Sequence, residues 1–442
     1  MMFKQDLVKA TGAVVLKDEV GEEQKFQIST DTRKIESSDI YLPLKGANFN
    51  GENFIDNDNI FAYFTTGNKI TERAKLVLKV ENTLEAYLKL AQYYLKQQKG
   101  LRVVGITGSS GKTTTKELVY SVLSQKFKTH KTFSNHNNEI GFCQTVFSMA
   151  SDTEVLIVEM GMRGLGEIEL ISKHLQPDYA VITNSGSAHI GRLGSLDNIA
   201  IAKCEITTGL NQNGVFIANN QDIIKKHVNF DGQKEYYSIN DVTILEKAPS
   251  YSKFSYKGNT YELNVEGDYN IENALAAINL GIQTGMSYEE ICKGLISYRP
   301  IEKRWEVENI NGLKFINDSY NANPDSMKAS VKTFVELYKN PVVILGNMGE
   351  LGENEIEYHR EVGKYLANIN TNQNVKYITI GNLAKHIGEE LSLKGFEVKN
   401  FDNNSDTARY ILANLDNSYT IFLKASRSMK FEEILENIKR GI

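Results

Sequence analysis

Residues 101–120 constrain the fold more than any other stretch. Leu101-Arg-Val-Val-Gly-Ile-Thr107 is an apolar run rich in β-branched residues, and Gly108-Ser-Ser-Gly111-Lys112-Thr113 is a glycine turn. Thr114-Thr-Lys-Glu-Leu-Val-Tyr120 then opens an amphipathic pattern in which Leu118/Val122 and Val119/Leu123 stand four apart. The order is strand, loop, helix. Such a loop brings successive backbone N–H groups and a helix N-terminus to an anion, while glycine lets the backbone approach closely. Lys112 adds a mobile positive charge and Thr113 a hydroxyl suited to Mg²⁺. A strict phosphate loop carries glycine six positions before its lysine, where this chain has Ile106. The sequence is therefore a variant, Thr107-Gly-x-x-Gly-Lys-Thr113. A structural turn that happens to contain Gly-Lys-Thr is the alternative. The favoured reading is ATP or GTP binding, with Thr107, Gly108, Ser109, Ser110, Gly111, Lys112, Thr113 and Thr114 as contacts.

At 442 residues the chain exceeds what one core supports, and three domains are expected. A net charge of −5 without a basic cluster interleaved with aromatics argues against a nucleic-acid partner. Cys143, Cys204 and Cys292 are scattered and in no metal-ligand spacing, which fits buried thiols in a reducing compartment. No run reaches membrane-spanning length, and the N-terminus lacks a signal-peptide pattern. The expectation is a cytoplasmic monomer without integral membrane association.

The expected fold class is α/β in three domains. Residues 1–100 read as a small mixed unit, with strands at Phe26–Thr30 and Ile40–Leu44 and a helical stripe of Leu84, Leu88, Ala91 and Leu95. Residues 101–298 alternate strands (Val155–Val158, Tyr179–Thr183, Val215–Ala218) with helices, as in a mostly parallel sheet. Pro300 interrupts the helical pattern, and 299–442 starts a second, Rossmann-like open sheet from Lys314–Asn317, Pro341–Leu345, Tyr377–Ile380 and Thr420–Lys424, with a helix over Met327–Tyr338. Asn370–Asn374 and Asn400–Asn404 read as loops.

Ligands of such sheets sit at the carboxyl ends of the strands. Glu159 ends one strand, and a carboxylate after four apolar residues is costly to bury without a cation. It is a Mg²⁺ ligand or a cap for the next segment. His189, in the loop Ser185–Arg192, is a metal ligand or a structural histidine. Asp318, in Asp318-Ser-Tyr-Asn-Ala-Asn-Pro324, holds ribose or a metal-bound water, or caps a helix. Thr32 and Arg33, in a polar turn, offer a phosphate contact or a solvated surface, and the Lys45–Gly51 loop is a weaker candidate of the same kind.

Taken together, these strings resemble the Mur ligases of bacterial cell-wall synthesis. The resemblance runs from about Ser29 to Glu433. It rests on Ser29–Arg33, Thr107–Thr113, Asn137–Gly141, Glu159–Glu167, Ala188-His189, Ala202–Ile206, Asn270–Ala276, Asp318–Pro324, Gly349–Gly352 and Lys424–Arg427. Within the family, Asp318–Pro324 points to the member that joins D-Ala-D-Ala to UDP-MurNAc-tripeptide through an acyl phosphate. The rivals are a sister ligase adding the third amino acid, a folylpolyglutamate synthetase, or a non-ligase phosphate-loop ATPase.

The resemblance implies ATP and Mg²⁺ as cofactors. Lys112 and the loop amides would hold the phosphates, with Thr113 and Glu159 on one Mg²⁺. His189 would serve a second, beside Lys203 carried as a carbamate. The unmodified alternative for Lys203 is an ordinary surface lysine. Asn273 would contact adenine, while Arg304 and Asp318 would reach ATP from the third domain. Thr32 and Arg33 would hold the UDP end, with Asn137, Asn138, Tyr320 and Asn323 also on the substrates. Ser187, Lys303, Asn347 and Ala425 depart from the family's usual acid, glycine, aspartate and glycine.

Overall fold

The computed structural model describes residues 1–46, 48–301, 303–369 and 374–442. Its architecture is α/β throughout, built on three six-stranded sheets. Most of the Asn370–Asn374 stretch, expected to be a loop, lies outside the described residues, as do Ala47 and Glu302 of two other segments.

The first sheet is mixed and contains the two expected strands, at Lys25–Ser29 and Asp39–Tyr41. The Leu84 stripe becomes the helix Thr83–Gln97, which starts where the Asn82 side chain accepts from the Glu85 N–H at 3.0 Å. It buries Tyr87, Leu88, Leu90, Ala91 and Leu95, each leucine contributing roughly 1.5–3 kcal/mol. The same helix packs on helices Glu139–Phe147 and Glu167–Leu175 of the central unit, with Tyr87 stacked on Phe147 at 5.6 Å. The first unit is thereby docked on the second.

The central sheet is parallel throughout. Its strands run in the order Thr129–Lys131, Val155–Glu159, Arg102–Thr107, Tyr179–Ile182, Val215–Asn219, Gln233–Tyr237. All except the outermost strands have near-continuous apolar runs, as a sheet covered on both faces requires. From Arg102–Thr107 the chain builds first to one side and then crosses to Tyr179–Ile182 on the other. A crevice therefore opens at the carboxyl ends of these strands.

One element departs from the expected parallel alternation. Thr243–Ala248, Tyr251–Tyr256 and Asn259–Leu263 form a three-stranded antiparallel sheet. Its signal was the period-2 burial of Ser252, Phe254 and Tyr256, closed by a two-residue Lys257-Gly258 turn.

In the third sheet Glu306–Ile310 is an antiparallel edge on an otherwise parallel set, ordered Leu313–Asn317, Thr420–Lys424, Pro341–Gly346, Lys376–Ile380 and Glu397–Phe401. Helix Pro324–Leu337 starts in a capping box, Asn323 with Ser326, and has proline in its first turn. The carboxyl end of this sheet faces the phosphate loop.

Candidate active site

The phosphate loop follows directly from strand Arg102–Thr107. Gly108 and Gly111 have φ of 153° and 78°, and a Cβ would stand 1.8 Å from Thr183 Oγ1 at the first and 2.3 Å from Asn273 Oδ1 at the second. Only glycine fits either position. The loop is braced from neighbouring strand ends: Thr183 Oγ1 donates to Ser110 O at 2.6 Å, and the Ser110 N–H donates to Asn184 Oδ1 at 2.9 Å. Thr107 Oγ1 donates to Met160 O at 2.8 Å, so Thr107 stabilises the turn from below.

Lys112 Nζ donates to Gly108 O at 2.7 Å, arching over the loop that would hold phosphates. Burial pushes its ammonium below the ordinary lysine range, with Glu159 opposing and Arg304 adding to the shift. Thr113 Oγ1 donates to Glu159 Oε1 at 3.2 Å, and Asn137 Nδ2 donates to the same oxygen at 3.1 Å. Glu159 Oε2 is sealed from solvent and makes no hydrogen bond among the described residues, its one ion-pair partner there being Lys116 Nζ at 3.4 Å. A threonine hydroxyl beside an under-satisfied buried carboxylate suits Mg²⁺, which takes one or two protein groups and completes its shell with phosphates and water.

Lys203 corrects the surface reading. On helix Leu196–Cys204 it is wholly buried, and its Nζ has no hydrogen-bond partner among the described residues. Burial first, and the Lys112 charge second, depress its basicity strongly. A neutral primary amine is the form that adds CO₂.

A cleft of about 1280 Å³ gathers most of the remaining candidates. Ser109–Thr114, Asn137, Asn138, Glu159, His189, Asn273, Arg304, Asp318, Tyr320 and Asn323 all line it. Asn273 accepts from Thr115 Oγ1 at 3.2 Å and abuts Gly111, at the start of the phosphate-loop helix. Asn138 caps helix Glu139–Phe147 through Gly141 N–H at 2.9 Å, while the Arg304 guanidinium stacks 4.0 Å from the Tyr320 ring centroid. His189 Nδ1 lies 2.6 Å from Glu350 Oε2, and this contact holds the Glu350 carboxyl below its usual range. The expected second metal ligand thus meets a carboxylate of the third unit.

Thr32 and Arg33 lie apart from this cleft, in a short 3-10 turn. Arg33 is bonded to its own neighbour, with Nη2–Asp31 Oδ2 at 2.7 Å, and its side chain is 85% exposed.

Contacts that sequence reasoning missed join the third unit to the second. Asn323 Nδ2 donates to Ser110 Oγ at 3.0 Å, placing the cap of helix Pro324–Leu337 on the phosphate loop. Asp325 Oδ2 accepts from the Ser187 N–H and Oγ at 2.7 and 2.9 Å. An acid at position 187 would set two carboxylates against each other there. Lys424, nearly buried, pairs with Asp318 at the ends of adjacent strands. Lys303 and Trp305 have φ of 57° and 59°, so the usual glycine before Arg304 is matched by a left-handed backbone that this chain keeps with lysine. Asn347 Oδ1 accepts from Ala384 N–H at 2.8 Å and braces the turn into helix Lys385–Ser392.

Residues 106–281 match the Mur ligase middle domain, and residues 303–427 match the Mur ligase, glutamate ligase domain. UDP-N-acetylmuramoyl-tripeptide–D-alanyl-D-alanine ligase of Bacillus subtilis is 37% identical over 93% of this chain and 92% of its own. The crystal structure of MurF from Acinetobacter baumannii superposes with a TM-score of 0.89 at 28% identity, covering 99% of this chain and 98% of the other. MurF ligase from Thermotoga maritima, crystallised with ADP, shares the fold at a TM-score of 0.83 and 23% identity, covering 95% and 99%. With its phosphate loop, its buried acid and lysine and a third unit closing over them, this chain belongs to the Mur ligase family, among the UDP-N-acetylmuramoyl-tripeptide–D-alanyl-D-alanine ligases.

Proposed function

We propose that this chain is the ATP-dependent ligase that joins D-alanyl-D-alanine to UDP-MurNAc-tripeptide. The observation that carries the reading is the Asn323–Ser110 contact, which brings the third unit onto the phosphate loop in the cleft that Asn137 and Lys112 also line. A carboxylate does not form an amide readily in water, because oxide is a poor leaving group. The terminal carboxylate of the tripeptide therefore attacks the γ-phosphorus, and the bond to the bridging oxygen of ADP breaks. The amine of D-Ala-D-Ala then adds to the acyl carbon. Collapse of the tetrahedral intermediate expels phosphate, forms the amide and releases the amine proton.

The protein's part is placement and electrostatics. Lys112 and the loop N–H groups hold the transferred phosphoryl group. Arg304, fixed on Tyr320, brings a second cation from the third unit, and Asn273 sits at the edge of the loop where the nucleotide base would lie. The docked third unit excludes water from the acyl phosphate. Thr113 and Glu159 would hold one Mg²⁺, and His189 with a carbamate on Lys203 a second; bound there, Mg²⁺ neutralises charge on the phosphate oxygens. Thr32 and Arg33 take the UDP end, with Asn138 and Tyr320 on the substrate side of the cleft. The reading divides the chain near residues 100 and 298 and has it act as a monomer in the cytoplasm. No helix among the described residues is long and apolar enough to cross a membrane.

An ATP-dependent coupling assay with mass spectrometry of the product tests this. ADP and phosphate appear only when tripeptide nucleotide and D-Ala-D-Ala are both supplied, and the product gains the mass of the dipeptide. Equal phosphate release without the dipeptide, or coupling of single amino acids or glutamate in its place, contradicts the reading. Hydrolysis stimulated by a protein with no amide product would instead favour a regulatory ATPase.

A further inference from the structure

Lys116 lies on the buried side of the phosphate-loop helix and is 1% exposed, although lysine is among the residues least often buried without a partner. Its Nζ donates to Ser134 O at 3.2 Å and lies 3.4 Å from Glu159 Oε2 and 3.5 Å from Glu117 Oε1. Glu117 is paired in turn with Lys131, whose Nζ sits 3.9 Å from the Tyr120 ring centroid. Lys116 therefore shares its charge between two carboxylates and leaves Glu159 with net negative character for a metal.

The other anchor is the chain segment before Asn137. Ser134 has φ of 48°, an unusual conformation for serine, and its carbonyl receives the Lys116 bond. Three residues on, Asn137 Nδ2 donates to Glu159 Oε1, and Asn137 O accepts from Gly161 N–H at 2.7 Å. The Glu159 N–H donates to Thr132 Oγ1 at 3.0 Å. One ammonium thus touches both the carboxylate and the loop that hydrogen-bonds that carboxylate.

We infer that Lys116 is a positioning residue for the metal step. It holds Oε2 of Glu159 and the carbonyl of Ser134 together, so that Oε1 faces Thr113 and the Asn137 loop stays ordered before nucleotide arrives. The inference rests on the reading of Glu159 as a Mg²⁺ ligand. A group that orients a metal ligand typically governs metal affinity by about 10–100-fold.

The test is calorimetric binding of ADP to the full chain with Mg²⁺ and with EDTA, in wild type, Glu159→Gln, Lys116→Met and Lys116→Arg. The expected result is tighter ADP binding with Mg²⁺ in wild type, and loss of that gain in Glu159→Gln. Lys116→Met should reduce the gain about tenfold while leaving binding in EDTA unchanged, and Lys116→Arg, which keeps the charge, should restore part of it. A merely structural lysine would weaken binding equally in both buffers, which overturns the inference, as does a full or enlarged Mg²⁺ gain in Lys116→Met. No Mg²⁺ gain in wild type, or a gain that survives Glu159→Gln, overturns the metal reading and the inference with it. Should Lys116→Met fail to fold, Lys116→Arg decides alone, an undiminished gain counting against the inference and a partial gain with unchanged EDTA binding supporting it.

Discussion

The phosphate-loop edge of the central sheet and the Thr32–Arg33 turn of the first unit are both polar loops that follow a strand, yet they hold charge in opposite ways. At the phosphate loop, Lys116 and Glu159 are buried against each other from two different elements, and Lys203 is buried with no hydrogen-bond partner among the described residues. At the turn, Arg33 is satisfied by Asp31 two residues away and stays in solvent. Burying charge costs several kcal/mol per ion unless the geometry repays it. The first region therefore keeps ionisable groups whose buried polar atoms the protein satisfies only in part, whereas the second is satisfied within its own turn. Chemistry is expected where the protein has accepted that cost, and simple binding where it has not.

The sharpest way to break this contrast is to remove Lys112. Lys112→Ala should lower turnover by about a hundredfold or more, the loss expected when a preorganised charge on the reacting group disappears. Its melting temperature should stay near that of wild type, and a variant with full activity would remove the phosphate-loop assignment. Next is Asp325→Ala, which strips the Ser187 N–H and hydroxyl of their acceptor. Hydrogen bonds to a charged group are worth about 1.5–3 kcal/mol, so kcat should fall roughly tenfold as docking of the third unit weakens. Steady-state kinetics read this directly, and an unchanged kcat would separate docking from catalysis.

Asn323→Ala should cost about 1 kcal/mol of stability through the lost helix cap, measured by urea unfolding, with a further fall in kcat from the lost Ser110 contact. Arg33→Ala should be mildest. Its expected signature is a higher KM for the UDP substrate with ATP affinity and stability unchanged. The same variant tests the local pairing. The Arg33 side chain, helped by its N–H, holds the Asp31 carboxyl down at about 2. That pairing is present above the ordinary carboxylate value and is lost as pH falls through about 2. In Arg33→Ala the Asp31 titration, followed by NMR, should move up toward the ordinary range while the backbone N–H still holds it partly down.

Much of the fold could be read from the chain because its parallel strands are short apolar runs bounded by polar loops. Val155–Glu159, Tyr179–Ile182 and Thr420–Lys424 fall within one residue of where the runs predict them. The Thr243–Leu263 sheet escaped because its alternation is half polar and sits inside a stretch dominated by βα units. The residues that line the loop were also legible, since Gly111, Lys112 and Thr113 are adjacent in sequence. Their long-range partners were not. Lys424 meets Asp318 across 106 positions and Asp325 meets Ser187 across 138, and no spacing rule connects such pairs. Lys116 left a fainter trace, a lysine three residues before Val119 and seven before Leu123, on the stripe that becomes the buried face. Burial of Lys203 left none, because Ala-Lys-Cys-Glu reads equally well on either side of a helix.

The central claim is that this loop delivers the γ-phosphoryl group of ATP to a carboxylate, and isotope transfer tests it most directly. UDP-MurNAc-tripeptide labelled with ¹⁸O in its terminal carboxylate is incubated with ATP, D-Ala-D-Ala and the protein, and the released phosphate is analysed by mass spectrometry. The account predicts that one labelled oxygen passes into each phosphate formed with product. Amide formation with unlabelled phosphate would contradict it.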